Sequence, residues 1–452
     1  MGEVFRAVDR NTPYMFAPTI EDWLPERHLA RFVVEVVEQL DLRGIESSYA
    51  GRGHKAYSPA MMVSMLFYGY ASGTFSSRKL EQATYDSVAM RYITADCHPD
   101  HDTIASFRKR FLEPLAGIFV QILLVANRMG LLRLGSVSLD GTKMKANASK
   151  HRAMSWKHMR ELERQIREEV ELLLAKAADA DANELPDGLD IPEELRRRED
   201  RLEAIAQAKA EIERRAGERH ERENAEYERK MAERERKERE TGKKSGGVPP
   251  RPPEDEGPRD KDQVNLTDAD SRIMPDKGGF EQGYNAQAAV DVDTMLVVTQ
   301  HLSQNTNDML EVQPTLELIA ALPDELGEVE NLLADTGYCS GGNVDSCVEA
   351  GMVPYISTRR ERHNARLVER FAEDPPYEEP EDSVDEMRRR LGTKAGKRLY
   401  AKRKSTVETV FGNIKGTIGF RQFSLRGAAN VSGEWTLVCA AWNLKRLFAL
   451  TR

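Results

Sequence analysis

Cysteine is scarce in this chain, with only Cys97, Cys339, Cys347 and Cys439 among 452 residues. They form no CxxC pair and share no zinc-like spacing with histidine, so neither a zinc site nor a disulfide framework is expected. They read instead as small buried thiols in a reducing compartment. Long apolar runs are missing too. Stretches such as ILLVA and WTLVCAAW fall far short of the roughly 20 residues that span a bilayer, so no membrane partner is expected. The stretch MGEVFRAVDR has no apolar signal core, and Arg6 breaks the myristoylation pattern, which predicts a cytoplasmic protein. Nor is there an excess of positive charge, the net charge being -9. That charge is unevenly placed, however. Glu-rich runs lie around 160–240 and 372–388, whereas 394–426 is strongly basic, and local charge governs phosphate binding more than the total does.

What is present describes a globular protein, 40% hydrophobic and 31% charged, with room for several domains. Residues 1–130 read as a helical N-terminal domain suited to DNA binding or assembly. Ser58-Pro59 starts a helix through AMMVSMLFYGYASG, Ser76 and Ser77 can cap RKLEQATYDSVAMRYI, and Asp102 or Thr103 can cap IASFRKRFLEPLAGIFVQILLVANRMG. Arg108, Lys109 and Arg110 fit either a DNA-reading turn or a solvated helix face. Residues 131–150 form the first strand region of an α/β domain, with Asp140-Gly141 expected as a strand end and turn. Residues 151–268 are a charged insertion. Met159, Leu162, Ile166, Val170 and Leu173, then Leu202, Ile205, Ala208, Ile212 and Ala216, recur at helical spacing. Pro186 divides the two stripes, which predicts an antiparallel helical hairpin followed by a disordered Gly/Pro linker.

Residues 269–452 resume the α/β domain and end in helices. GYNAQAAVDVDTMLVVTQHLS reads as two strands joined near Asp291–Asp293, followed by a helix from about Asp308 to Leu322. NLLADTG is a buried strand ending in Asp335, VPYIS a further strand, and YAKRKSTVETVFGNIK a basic helix. Trp435 and Trp442, seven apart on the last helix, read as core rather than as a base-stacking stripe. The order matches a ribonuclease H-like mixed sheet flanked by helices. The fold class is therefore α/β, with an all-α N-terminal domain and a long helical insertion.

Three acids stand out. Asp140 and Asp335 each follow a hydrophobic strand and precede a glycine turn. Either alone reads as an ordinary turn aspartate, but two in that setting suggest paired carboxylates on rigid elements. Glu408 shares a narrow helical sector with Tyr400, Lys404 and Lys415, beside a buried edge of Val407, Phe411, Ile414 and Ile418. A solvated Lys404–Glu408 pair would be worth only about 0.3–0.5 kcal/mol. Together with the two aspartates, the glutamate reads better as a metal-binding carboxylate among phosphate-binding cations.

These motifs resemble those of the DDE transposases of bacterial insertion sequences, over nearly the whole chain and including SPAMMVSMLFYGY and HDTIASFRKRF. Asp140 in LDGTKMKANAS resembles the first catalytic acid, and Asp335 in ADTGY the second, with Tyr338 completing Asp-x-Gly-Tyr. Glu408 resembles the third, within a Tyr-Arg-Glu-Lys signature that Tyr400, Arg403 and Lys415 fit. Arg403 keeps its spacing from Tyr400 but lies one residue too far from Glu408, and helix phase favours Lys404 as the phosphate contact.

The resemblance implies two Mg²⁺ ions, replaceable by Mn²⁺, with Asp140 bridging both while Asp335 and Glu408 hold one each. Water would nick the element's end, and the freed 3′-hydroxyl would attack target DNA. The partner is double-stranded DNA, as terminal inverted repeats and as target, bound by at least a homodimer. Tyr400, Arg403, Lys404, Lys415, Arg421, Arg426 and Tyr338 are the expected DNA contacts. Rival readings are a ribonuclease H-like nuclease that does not join strands and an inactive transposon-derived DNA-binding protein. Tyr400 as a tyrosine-recombinase nucleophile is disfavoured, because the Arg/His set it needs is missing around it.

Overall fold

The computed structural model describes residues 19–49, 56–180, 191–242, 248–254, 256–276, 279–358, 374, 376–377 and 379–452. Two compact units divide the chain: Met1–Met144 with Tyr284–Arg452, and Lys145–Gly283. The first unit opens with helices α1 (Leu29–Val37), α2 (Arg43–Glu46), α3 (Pro59–Ala71), α4 (Ser77–Asp86), α5 (Val88–Thr94), α6 (His101–Arg110) and α7 (Pro114–Arg128), then strand β1 (Ser136–Lys145). Pro59 sits in the first turn of α3, where its missing N–H costs nothing. Because α3 is apolar on nearly every side, it is buried on nearly every side.

One helix expected from residue 104 onwards is two. Pro114 cannot continue a helix begun upstream, and α6 and α7 bend by 80° at that point. Asp100, not Asp102 or Thr103, caps α6, its carboxylate accepting from Thr103 N at 2.6 Å. Arg108 is buried and donates to Tyr70 Oη at 3.0 Å and to Phe75 O at 2.8 Å. Its charge is used inside the protein, which removes it from the basic trio considered for DNA. No single helix among the described residues is long and apolar enough to cross a membrane.

The second unit holds β2 (Ala153–Ser155), α8 (Trp156–Ala180), α9 (Ile191–Thr241), β3 (Gln263–Asn265) and β4 (Arg272–Asp276). Its bounds are wider than the expected 151–268. Met159 and Ile166 of α8 pack against Ile205, Ala208 and Ile212 of α9, with Val264 of β3 closing the cluster. The ion pairs Lys209–Glu163 at 2.9 Å and Arg198–Glu169 at 2.8 Å run in opposite order along the two helices, which makes the hairpin antiparallel. Pro186 and part of the Gly/Pro linker lie outside the described residues.

The chain returns through β5 (Gly279–Asp291), β6 (Val297–Ser303), α10 (Val312–Ala320), β7 (Asn331–Ala334), α11 (Gly341–Glu349), β8 (Val353–Ile356), α12 (Ser383–Gly392), α13 (Lys394–Asn413) and α14 (Ala428–Leu450). In the first unit the strand order is β6-β5-β1-β7-β8. β5 and β6 form the antiparallel hairpin expected near Asp291, while β1, β7 and β8 run parallel. This is the mixed sheet of a ribonuclease H-like core, with helices flanking it. α14 is buried along most of its length and packs on β6. Trp435 Nε1 donates to Gln287 O at 3.0 Å and Trp442 Nε1 to Met295 O at 2.9 Å, so both tryptophans serve the core. Asn443 takes Val297 N and O at 2.8 Å each, satisfying backbone that the end of a sheet would leave open.

Candidate active site

Register places the two aspartates together. β1 pairs with β7 through Ser136↔Asn331, Val137↔Leu332 and Ser138↔Leu333. Continuing that register by two residues sets Asp140 opposite Asp335. β7 ends at Ala334, and Asp335 caps the tight turn Thr336–Tyr338, its Oδ1 accepting from Gly337 N at 2.7 Å. Asp140 behaves differently from expectation, because β1 runs straight through Asp140 and Gly141 to Lys145. There is no turn at this point. Asp140 lies in mid-strand at the level where β7 stops covering β1. Gly141 answers to crowding rather than to backbone conformation. A Cβ at 141 would overlap Gln287 Nε2 and come within 2.7 Å of Asp308 Oδ1.

Burial and the charge of Asp335, partly offset by Arg403, push the Asp140 carboxyl up to about 7. Desolvation disfavours the ionised form, and a second carboxylate nearby adds to it.

Helix α13 brings the third acid. Its Val407, Val410 and Phe411 are buried and pin one face, which leaves Glu408 at the rim with its side chain 48% exposed. Arg403 is 6% exposed and lies between the acids, with Nη2 on Glu408 Oε1 at 2.8 Å and Nη1 on Asp140 Oδ2 at 3.4 Å. Lys404 is exposed. Helix phase put Lys404 rather than Arg403 on the face of Glu408, yet Arg403 reaches that carboxylate. Phase compares Cβ directions, whereas a guanidinium on a long stem reaches a carboxylate five residues on.

The helix also changes hand-span after Asn413, continuing as a π-turn over Ile414–Ile418. Lys415 sits in that turn and donates from Nζ to Lys143 O on β1 at 2.8 Å. Tyr338 and Tyr400, both expected on DNA, are buried at 0% and 6% exposure. Burial first, then the charges of Asp140, Asp308 and Asp335, hold the Tyr338 hydroxyl protonated. Arg421 and Arg426 are exposed, and Arg421 Nε donates to Lys415 O at 2.9 Å.

Sequence reading missed Asp308, taken there for a helix start; α10 begins later, at Val312. Asp308 Oδ1 accepts from Lys143 Nζ at 3.2 Å, Asn285 Nδ2 at 2.7 Å and Gln287 Nε2 at 2.8 Å. The clue was available in GYNAQAA, where two amides at i and i+2 share one face of an otherwise apolar strand.

Among the described residues, no three His, Cys, Asp or Glu side chains converge closely enough to hold one ion between them. Arg403 stands between Glu408 and Asp140. The donor chemistry nonetheless suits a hard divalent cation, since all three acids offer oxygen and Asp140 is raised by burial and by the charge of Asp335. The four cysteines are free, Cys347 and Cys439 buried, Cys339 half-buried and Cys97 exposed.

Residues 18–110 match the family described as Transposase domain (DUF772), and residues 260–444 match the Transposase DDE domain. Asp335 and Glu408 fall inside the second stretch, and Asp140 lies between the two. No curated protein and no solved structure matches the chain. With both transposase matches in chain order around a ribonuclease H-like sheet, the chain belongs to the DDE transposases of insertion sequences.

Proposed function

We propose that this transposase performs divalent-metal-dependent cleavage at insertion-sequence ends and joins the freed 3′-hydroxyl to target DNA. The observation that carries the reading is the register that brings Asp140 level with Asp335, with Glu408 linked to Asp140 through the buried Arg403. DDE transposase domains use divalent metal ions. Asp140, Asp335 and Glu408 would hold them here, Mg²⁺ being the ion best suited to carboxylate and water oxygens. When bound, such ions lower the pKa of attacking water and neutralise charge on the phosphodiester.

The chain's own residues supply position and charge. Arg403 bridges the Asp140 and Glu408 carboxylates and would fix their separation. Lys415, by gripping Lys143 O, holds the outgoing half of β1 against α13. Lys404, Arg421 and Arg426 are exposed on the same basic stretch and would bind the DNA backbone as sequence-independent cations. Synapsis of two element ends would need at least a dimer on DNA, and the chain would act in the cytoplasm.

The test is cleavage of duplex DNA taken from the flanks of this reading frame. Asp140→Ala, Asp335→Ala and Glu408→Ala should each abolish metal-dependent cutting while binding persists. Wild-type protein should also join pre-cut ends to a plasmid. Cutting that survives Asp335→Ala would overturn the proposal. Cutting without joining would leave a simple nuclease, and binding without either would leave a DNA-binding scaffold.

A further inference from the structure

We propose that Asp308 is a positioning residue that ties the strand carrying Asp140 to the turn carrying Asp335; the inference rests on the cleavage reading above. Asp308 stands in the loop between β6 and α10, in neither of the strands it joins. Its Oδ1 collects Lys143 Nζ from β1 at 3.2 Å and the amides of Asn285 and Gln287 from β5 at 2.7 and 2.8 Å. Gln287 is fully buried, and its Oε1 accepts from Tyr338 Oη at 2.5 Å. Lys143 lies three residues after Asp140, and Tyr338 three residues after Asp335. One carboxylate and one amide therefore connect the two acid-bearing segments, and Gln287 cannot rotate without breaking both links.

A second observation concerns space. Both segments carry glycine where this carboxylate approaches. A Cβ at Gly141 would lie 2.7 Å from Asp308 Oδ1, and one at Gly337 would lie 3.8 Å from Asp308 Oδ2. Each oxygen thus faces one of the two segments. Residues that orient metal-binding acids from behind typically change metal affinity 10- to 100-fold when removed.

The experiment compares Asp308→Ala, Asp308→Asn and Asp335→Ala in the full chain. Calorimetric titration with Mn²⁺ alone reads metal affinity, and single-turnover cleavage of a plasmid carrying the reading frame's flanks reads activity. Asp308→Ala should weaken Mn²⁺ binding by about tenfold or more and slow cleavage, with duplex binding unchanged. Asp308→Asn, which keeps an acceptor for the Gln287 amide and is nearly isosteric, should recover part of both and guards against loss of folding. Tyr338→Phe should shift Mn²⁺ affinity the same way, and the double variant should show less than the sum. Unchanged Mn²⁺ affinity in both Asp308 variants, with only a lowered melting temperature, would overturn the inference. If Asp335→Ala is inactive while Asp308→Ala cleaves normally, Asp308 alone loses its role. If Asp335→Ala cleaves normally, the cleavage reading falls and this inference falls with it.

Discussion

Helices α9 and α13 are both rich in arginine, lysine and glutamate, yet they use those charges in opposite ways. Along α9 two pairs cross to α8, Lys209–Glu163 and Arg198–Glu169, but many are local: Arg197–Glu193, Lys230–Glu226 and Lys237–Glu233 are all i,i+4, with both side chains well exposed. What holds α9 in place is the apolar seam of Ile205, Ala208 and Ile212. On α13 the central cation is buried, and one of its partners, Asp140, is far away in sequence. A charge that satisfies itself one turn away does little beyond keeping a helix soluble. A charge taken out of water and shared between two acids has a site to build.

The largest effect should come from the α13 acid. Glu408→Gln is expected to slow single-turnover cleavage by about a thousandfold, the upper order for removing one preorganised charge, whereas Glu218→Gln on α9 should leave the rate unchanged. Cleavage indifferent to both would erase the contrast. Next, Ile212→Ala should cost the hairpin about 2–5 kcal/mol, seen as faster hydrogen exchange in α8 and α9, because the seam rather than the charges holds the hairpin. A third effect concerns pH. The folded-state pKa of Asp140 is raised to about 7, so the native state binds a proton that the unfolded chain has lost. Metal-free stability should therefore fall as pH rises from the ordinary carboxylate range through about 7, by on the order of a few kcal/mol. Asp140→Asn should flatten that slope in melting curves taken across the range. Arg403→Ala should cost about 1.5–3 kcal/mol in denaturant unfolding, the range for hydrogen bonds to charged groups. Smallest of all, Lys230→Ala should leave the melting temperature unchanged within error, as exposed i,i+4 pairs contribute little.

The contrast also explains what could be read from residues alone. Apolar periodicity located α3, the hairpin seam and the β5–β6 pair, because those elements are fixed by which side is dry. The acids were visible as residue types beside strands. Their mutual placement was not, since it depends on a parallel register between residues far apart in the chain. Phase placed Lys404 rather than Arg403 on the face of Glu408 because phase is a local property, and the reach of a guanidinium across five residues is not. The π-turn at Ile414–Ile418 leaves no mark that spacing rules can see. Gly141 looked like a turn, although its lack of a side chain serves a neighbouring amide and carboxylate. Asp308 was hidden by the ordinary habit of aspartates to precede helices.

The strand pair β1 and β5 has a consequence for the chain as a polymer. Val292 N donates to Ser136 O at 3.0 Å and Ala146 N to Gln282 O at 2.9 Å, so the two strands run antiparallel and are neighbours where the chain departs and where it comes back. Topologically, everything between them is one enlarged hairpin loop. Closing a loop costs entropy only with the logarithm of its length, about 0.6 kcal/mol per doubling. A lineage could therefore lengthen, shorten or exchange that loop at small thermodynamic cost, while the ladder at its neck keeps the first acid in register.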